Sequence, residues 1–202
     1  MEINDTREFN EIFSMLPRTF PLVVDIGVHK GEFYDYVRNI KGFDTYIGFE
    51  PDPDNFDTLN WEIPNVRFIR SGVYYGKEQS KVYGIGDGND GGYIVEIDPE
   101  HTEVVKHRLH QYPDKVFQLC TLESKIQSVP KGSLIKIDCE GSEYNIIENS
   151  TILSDFDYIL IEFHNHDDGY IDNFLRSTLY YTHDLRRQGR QWFLQGFTGS
   201  LD

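Results

Sequence analysis

At 202 residues, with 39% hydrophobic and 26% charged side chains, the chain suits one domain with a substantial core, and its 13 Tyr and 14 Phe exclude a disordered composition. Its 19 Lys and Arg are outnumbered by 34 Asp and Glu, and the net charge of −15 argues against nucleic acid or an anionic membrane surface as partner. Cys120 and Cys139 form no CxxC pair, the first residues lack a signal-peptide pattern, and no apolar run nears the ~20 residues that span a bilayer, so a reduced, cytoplasmic protein is expected.

Residues 1–20 open with a helix expected to cover the core, its Phe9, Ile12, Phe13 and Leu16 at helical spacing and Pro17 as its stop. The apolar, β-branched run 22–26 reads as a buried strand. Gly27 and Gly31 bracket a tight turn, and Phe33, Tyr36 or Val37, and Ile40 then mark one face of a helix ending near Gly42. A second strand, 45–49, closes on Glu50-Pro51-Asp52-Pro53, after which Phe56 and Leu59 face inward from a short helix. With a third strand at 66–69, this βαβαβ order implies a parallel sheet with right-handed crossovers.

The middle of the chain changes character. Strands at 81–85 and 93–97 are joined by the glycine-rich segment 86–92, which reads equally as a flap over a substrate or as a surface loop. Asp98-Pro99-Glu100 signals a helix with Val105, Leu109 and Tyr112 on one face, and 115–119 returns to strand. The strand 134–138 is interrupted by Lys136, which must pair with an acid because an unpaired buried ammonium is too costly. A helix through Ile146 and Ile147, with Ile152 as its furthest reach, follows, then a buried strand at 158–163. Strands around 179–182 and 191–197 flank Arg187-Gln188-Gly189, giving an antiparallel pair at the end of a mostly parallel sheet. The arginines there read as a solvated turn.

Chemistry collects at strand ends. The first loop, Asp25-x-Gly27-x-x-x-Gly31, has an aspartate where a dinucleotide fingerprint has its first glycine. An acid there repels a pyrophosphate and suits a cofactor with a cationic end, such as S-adenosylmethionine. Glu50 ends the second strand, where an acidic side chain accepts hydrogen bonds from ribose hydroxyls. Asp138-x-Glu140-x-x-Glu143 lies at the end of a central strand. Asp138, Glu140 and His164 are the candidates for a general base, His164 having the most suitable ordinary pKa. Asp138 serves alternatively as an anionic partner for the methionine ammonium, and Glu143 as an acid in a first helical turn. Glu162, His164 and His166 share one face of an extended segment, so a divalent metal is one reading and a solvated acidic loop the preferred one. No metal ligand is assigned.

Taken together, Val23-Val-Asp-Ile-Gly-Val-His-Lys-Gly31, Gly48-Phe-Glu-Pro-Asp-Pro53, Thr121-Leu-Glu123, Ile135-Lys-Ile-Asp-Cys-Glu-Gly-Ser-Glu143 and Leu160-Ile-Glu-Phe-His164 resemble the FkbM family of S-adenosylmethionine-dependent methyltransferases. The resemblance implies a Rossmann-like class I methyltransferase fold: a mostly parallel seven-stranded sheet with an antiparallel last strand, here with an added β-hairpin. It also implies O-methylation of a small polar acceptor such as a sugar hydroxyl. By position, Asp25, Gly27 and Gly31 would line the methionine end of the cofactor, Glu50 would hold the ribose, and Ser71 and Gly72 would lie near the adenine. Three positions depart from the family pattern. His29 stands where Asn is common, as a cofactor contact or a solvent-facing turn residue; Glu123 replaces Asp, and Cys139 an aliphatic. Two rival functions stay open: an NAD-dependent or other nucleotide-handling α/β enzyme, and a methyltransferase-like binding module without turnover.

Overall fold

The computed structural model describes residues 16–59, 62–76, 81–86, 92–97, 116–139, 141–163, 168–179, 183–188 and 191–196. In chain order they form β1 (Phe20–Ile26), α1 (Glu32–Ile40), β2 (Phe43–Phe49), α2 (Pro53–Phe56), β3 (Val66–Ile69) and β4 (Gly72–Val73). An inserted β5 (Lys81–Gly86), β6 (Gly92–Ile97) and β7 (Val116–Phe117) precede β8 (Leu119–Cys120). The chain continues through β9 (Leu134–Ile137), α3 (Glu143–Asn149), β10 (Tyr158–Glu162), α4 (Asp168–Thr178), β11 (His183–Gln188) and β12 (Gln191–Gly196).

Seven strands make the main sheet in the order β11-β12-β10-β9-β1-β2-β3. The pairs β1–β2, β2–β3, β1–β9 and β9–β10 are parallel, and β12 runs antiparallel to both its neighbours. The expected fold class therefore holds, including the antiparallel last strand. The added hairpin is β5–β6, antiparallel, which β7 extends into a separate three-stranded sheet.

Apolar runs form the central strands because both faces are covered. Leu22, Val24 and Ile26 of β1 pack with Ile135, Ile137, Ile159 and Ile161 into one core layer, closed by Ile146 and Ile147 of α3 and Ile171 and Leu175 of α4. Phe20 and Val23 face the other layer with Tyr46, Leu134 and Leu160, under Phe33, Tyr34 and Val37 of α1 and Phe56 of α2. Consequently the chain leaves β1 toward one face and leaves the adjacent β9 toward the opposite face. Two parallel neighbours whose loops diverge in this way open a crevice beyond their carboxyl ends.

Three readings of the sequence need correction or lie elsewhere. Of the strand expected around 179–182 only Leu179 is described: it is buried just past the end of α4, and the described strand runs from His183. The run 115–119 is cut at Gln118 into β7 and β8, which belong to different sheets. The N-terminal helix over 5–16, the segment 87–91 and the helix proposed over 98–112 fall outside the described residues, apart from the buried Leu16. Among the described residues no helix is long and apolar enough to cross a membrane.

Candidate functional site

Gly27 joins the two walls of the crevice. Its N–H and that of Val28 both donate to the Phe49 carbonyl, at 3.0 and 3.2 Å, and the Asp138 N–H donates to the Ile26 carbonyl at 3.0 Å. Gly27 has φ 85°, and a Cβ on it would lie 1.8 Å from the Asp138 carbonyl oxygen. The close approach that requires glycine is therefore to the β9 loop. Gly31 is different: at φ 92° it is the N-cap of α1, and a Cβ there would meet only Leu59, at 3.5 Å. Gly31 answers a dihedral requirement, Gly27 both a dihedral and a spatial one. Val28 folds back over β2, where a Cβ on Gly48 would meet its Cγ2 at 2.5 Å.

Asp25 lies across from Lys136 in the β1–β9 register, on the face beneath α1. Its carboxylate is 0% exposed, lies 3.3 Å from Lys136 Nζ and accepts the Tyr46 hydroxyl at 2.5 Å. The Lys136 ammonium also donates to the Gly27 carbonyl at 2.8 Å, pairs with Asp138 Oδ2 at 3.2 Å and sits 5.8 Å from the Phe33 ring centre. Burial raises the Asp25 carboxyl, with Lys136 and the Tyr46 hydroxyl opposing it. Burial alone would lower the Lys136 ammonium, but Asp25 and Asp138 outweigh it and hold it above its ordinary value. Lys136 is thus paired as its sequence context demanded. Asp25, expected at the cofactor, is instead enclosed in the core; the carboxylate at the crevice is Asp138, 30% exposed.

Glu50 organises the second strand end. Its Oε2 accepts the His29 N–H at 2.7 Å and its Oε1 the Asp52 N–H at 2.8 Å, while its own N–H donates to the Ile69 carbonyl at 3.0 Å. Burial pushes the carboxyl up to about 7, against the pull of those two N–H donors. Each carboxylate oxygen has a second lone pair that can accept a further hydrogen bond. His29 adopts φ 54°, a left-handed conformation that Asn, Asp and His enter more readily than most residues. Its imidazole Nδ1 lies 3.1 Å from Glu32 Oε1 at the start of α1, so the side chain turns toward its own helix.

The 138–143 loop is held by Glu143. This side chain is fully buried, and its Oε1 accepts the Cys139 N–H at 3.2 Å and the Gly141 N–H at 3.0 Å. Expected either in an acidic cluster at the strand end or as an acid in a first helical turn, the carboxylate folds back onto the backbone of Cys139 and Gly141. Burial pushes the Cys139 thiol well above its ordinary value, which suits a packing role. At the third strand end, the Ser71 hydroxyl lies 3.1 Å from the Gly72 carbonyl and 3.0 Å from that of Gln118, which also accepts the Gly72 N–H at 3.0 Å. Ser71 and Gly72 are buried and bind β8.

Glu123, which belongs to the Thr121-Leu-Glu123 motif and departs from the family pattern there, is a hub. It accepts the Tyr75 hydroxyl at 2.7 Å, the Thr151 N–H at 2.7 Å and the Ser150 hydroxyl at 3.1 Å. Asn145 closes the ring by exchanging two hydrogen bonds with the Tyr75 backbone, at 2.6 and 2.8 Å. The signal was the distant polar spacing, which one sequence does not pair. Beyond β10, Phe163, Tyr144 of α3 and Phe174 of α4 form an aromatic cluster, with Tyr144 5.0 Å from Phe163 and 4.9 Å from Phe174. Tyr170 stacks on Phe174 at 6.4 Å and is 50% exposed.

Glu140, His164, His166 and Asp167 lie outside the described residues, so of the three catalytic candidates only Asp138 is placed. Among the described residues no three His, Cys, Asp or Glu side chains are grouped to hold a metal ion.

The sequence model of a family described as the methyltransferase FkbM domain matches residues 25–187. Among solved structures, a candidate rRNA methylase from Clostridium thermocellum superposes with TM-score 0.53 at 9% identity, covering 99% of both chains. SMU.1697c from Streptococcus mutans, a methyltransferase candidate in complex with S-adenosylhomocysteine, gives TM-score 0.50 at 8% identity, covering 98% of this chain and 100% of its own. These likenesses concern the fold. No curated protein matches the sequence.

Proposed function

This chain belongs to the FkbM methyltransferase family, and from that premise we propose that it binds S-adenosylmethionine in the β1–β9 crevice and methylates a hydroxyl of a small, sugar-like acceptor. The observation that carries the cofactor reading is the charge at the strand ends. By formal charge, two carboxylates, Asp25 and Asp138, face one ammonium, Lys136, and the more exposed carboxylate is Asp138. A phosphate-bearing dinucleotide meets repulsion there, whereas a cationic amino-acid end meets attraction. Glu50, at the end of β2, supplies spare acceptors for a ribose.

When bound, the cofactor supplies an electrophilic methyl on a positively charged sulfur. For an alcohol acceptor, transfer would leave the hydroxyl proton to be taken up by a side chain of this protein. With Asp138 engaged by Lys136 and facing the amino-acid end, we assign the proton to Glu140 or His164. Orientation of the two reactants supplies much of the rate. The acceptor reading is supported by the net charge of −15, which disfavours polyanionic substrates, and by the half-exposed Tyr170 ring, a surface for the apolar face of a sugar.

Calorimetry with S-adenosylhomocysteine and NAD(H) tests the cofactor: binding of the first alone is expected, and binding of NAD(H) alone would end the proposal. Formation of S-adenosylhomocysteine across a panel of sugars then tests the acceptor, and cofactor binding with no product from any of them would leave a binding module.

Glu50 gives this test a pH signature. Ribose hydroxyls donate best to the ionised carboxylate, so binding releases the proton that Glu50 holds below about pH 7. Affinity should be flat above about pH 8 and weaken by up to about tenfold per unit below 7. Stability of the ligand-free protein runs the other way. Because the folded carboxyl lies above its ordinary 4.5, its contribution is full at low pH and lost as pH rises through about 7. Glu50→Gln should weaken binding about tenfold to a hundredfold and flatten its pH profile. An unchanged profile removes Glu50 from the ribose site.

A further inference from the structure

Lys136 is placed for more than neutralising a buried acid. Its ammonium touches both walls of the crevice, at 2.8 Å from the Gly27 carbonyl on one and 3.2 Å from Asp138 Oδ2 on the other. A third acceptor, Asp25 Oδ1 at 3.3 Å, holds it from below, and the Phe33 ring covers it from α1. Asp25 is itself held by Tyr46 from β2. Partners therefore reach Lys136, directly or through Asp25, from β1, β2, β9, α1 and the Gly27 turn, and the ammonium has little freedom to move.

The partners differ in one respect. Asp25 is wholly buried, whereas Asp138 is 30% exposed at the carboxyl end of β9. Through Oδ2 the ammonium constrains the Asp138 carboxylate from its inner side. A group held in its working geometry before the ligand arrives spends no binding energy on ordering. The Lys136–Gly27 bond also ties the backbone of the opposite wall to the ammonium that holds Asp138.

We infer that Lys136 is a positioning residue that aims Asp138 at the cationic amino group of the ligand's amino-acid end. This rests on the proposed cofactor reading and deepens it, because it distinguishes recognition of the amino-acid end from recognition of the nucleoside. The adenosine half is met at the Glu50 end, which Lys136 does not touch.

The test compares S-adenosylhomocysteine with 5′-methylthioadenosine, which lacks the amino-acid end, by calorimetry on the full chain. Lys136→Met removes the charge at similar length, and Lys136→Arg restores it. The methionine variant should bind S-adenosylhomocysteine at least tenfold more weakly and methylthioadenosine as the parent does, with partial rescue by arginine. Asp138→Asn should reproduce the selective loss, and combining it with Lys136→Met should add little, since the two act as a unit. If Lys136→Met does not fold, Asp25→Asn with Lys136→Met removes the buried charges together and should show the same selectivity. Equal weakening of both ligands, or of neither, in the folded variants overturns the inference. A parent protein that binds neither ligand overturns the cofactor reading on which it rests.

Discussion

Gly27→Ala should destabilise the protein by about 3–5 kcal/mol and abolish binding in the crevice. Two costs add. A residue with a Cβ in a left-handed conformation is strained by roughly 1–2 kcal/mol, and overpacking a close contact costs about 1–3 kcal/mol or more. Here the contact is 1.8 Å from the Asp138 carbonyl oxygen, at φ 85°, so neither cost is avoidable by a small rotation. Relief requires the 27–31 turn to separate from β9, which also breaks the Lys136–Gly27 hydrogen bond. Thermal denaturation should show a midpoint lower by about 10 °C or more. Gly31→Ala is the control: it carries the dihedral strain without the collision, and should lose clearly less. Equal losses would mean that the contact with Asp138 is not what Gly27 serves.

Asp25→Ala is expected to act on folding before it acts on any ligand. Removing one member of a buried pair strands the other, at a typical cost of about 3–5 kcal/mol. Lys136 keeps Asp138 and the Gly27 carbonyl, which places the expectation near 3 kcal/mol, and the Tyr46 hydroxyl loses its acceptor as well. The double variant Asp25→Asn with Lys136→Met should recover part of that loss in urea denaturation, because neither of the two fully enclosed positions then carries a charge. A single variant as stable as the parent would show that Asp25 is not needed to hold Lys136. This differs from the reading that the loop alone invites, in which Asp25 meets the cofactor directly.

That difference shows what a sequence displays and what it hides. The alternating and continuous apolar runs of β1, β2, β9 and β10 were legible because burial on both faces leaves few alternatives. The antiparallel end of the sheet followed from a turn between two strand-like runs. Helix α4 was missed although Ile171, Leu175 and Leu179 recur at four-residue spacing, because Asp167-Asp168-Gly169 reads as loop. At the site, Asp25, Gly27, Glu50 and Asp138 were visible as polar or flexible residues where strands end. Which carboxylate faces the crevice was not visible, because it depends on Lys136 standing across from Asp25 in a register that only the β1–β9 pairing establishes. Glu143 and Glu123 were hidden for a related reason: their partners are backbone N–H groups and distant hydroxyls, which no spacing announces.

The short ladder between β4 and β8 has a bearing on how such a protein changes over time. Gly72 lies beside Leu119 and Val73 beside Cys120, so a stretch of chain leaves the body and re-enters at a neighbouring position. Between those points lies the antiparallel sheet of β5, β6 and β7, while Tyr75 and Glu123 seal the junction to α3. With the exit and return points adjacent, lengthening or replacing the stretch costs little in loop closure, because that cost grows only logarithmically with length. The segment from 76 to 117 is in effect a cassette: grafting one from a relative would leave Gly27, Glu50, Lys136 and Asp138 in place.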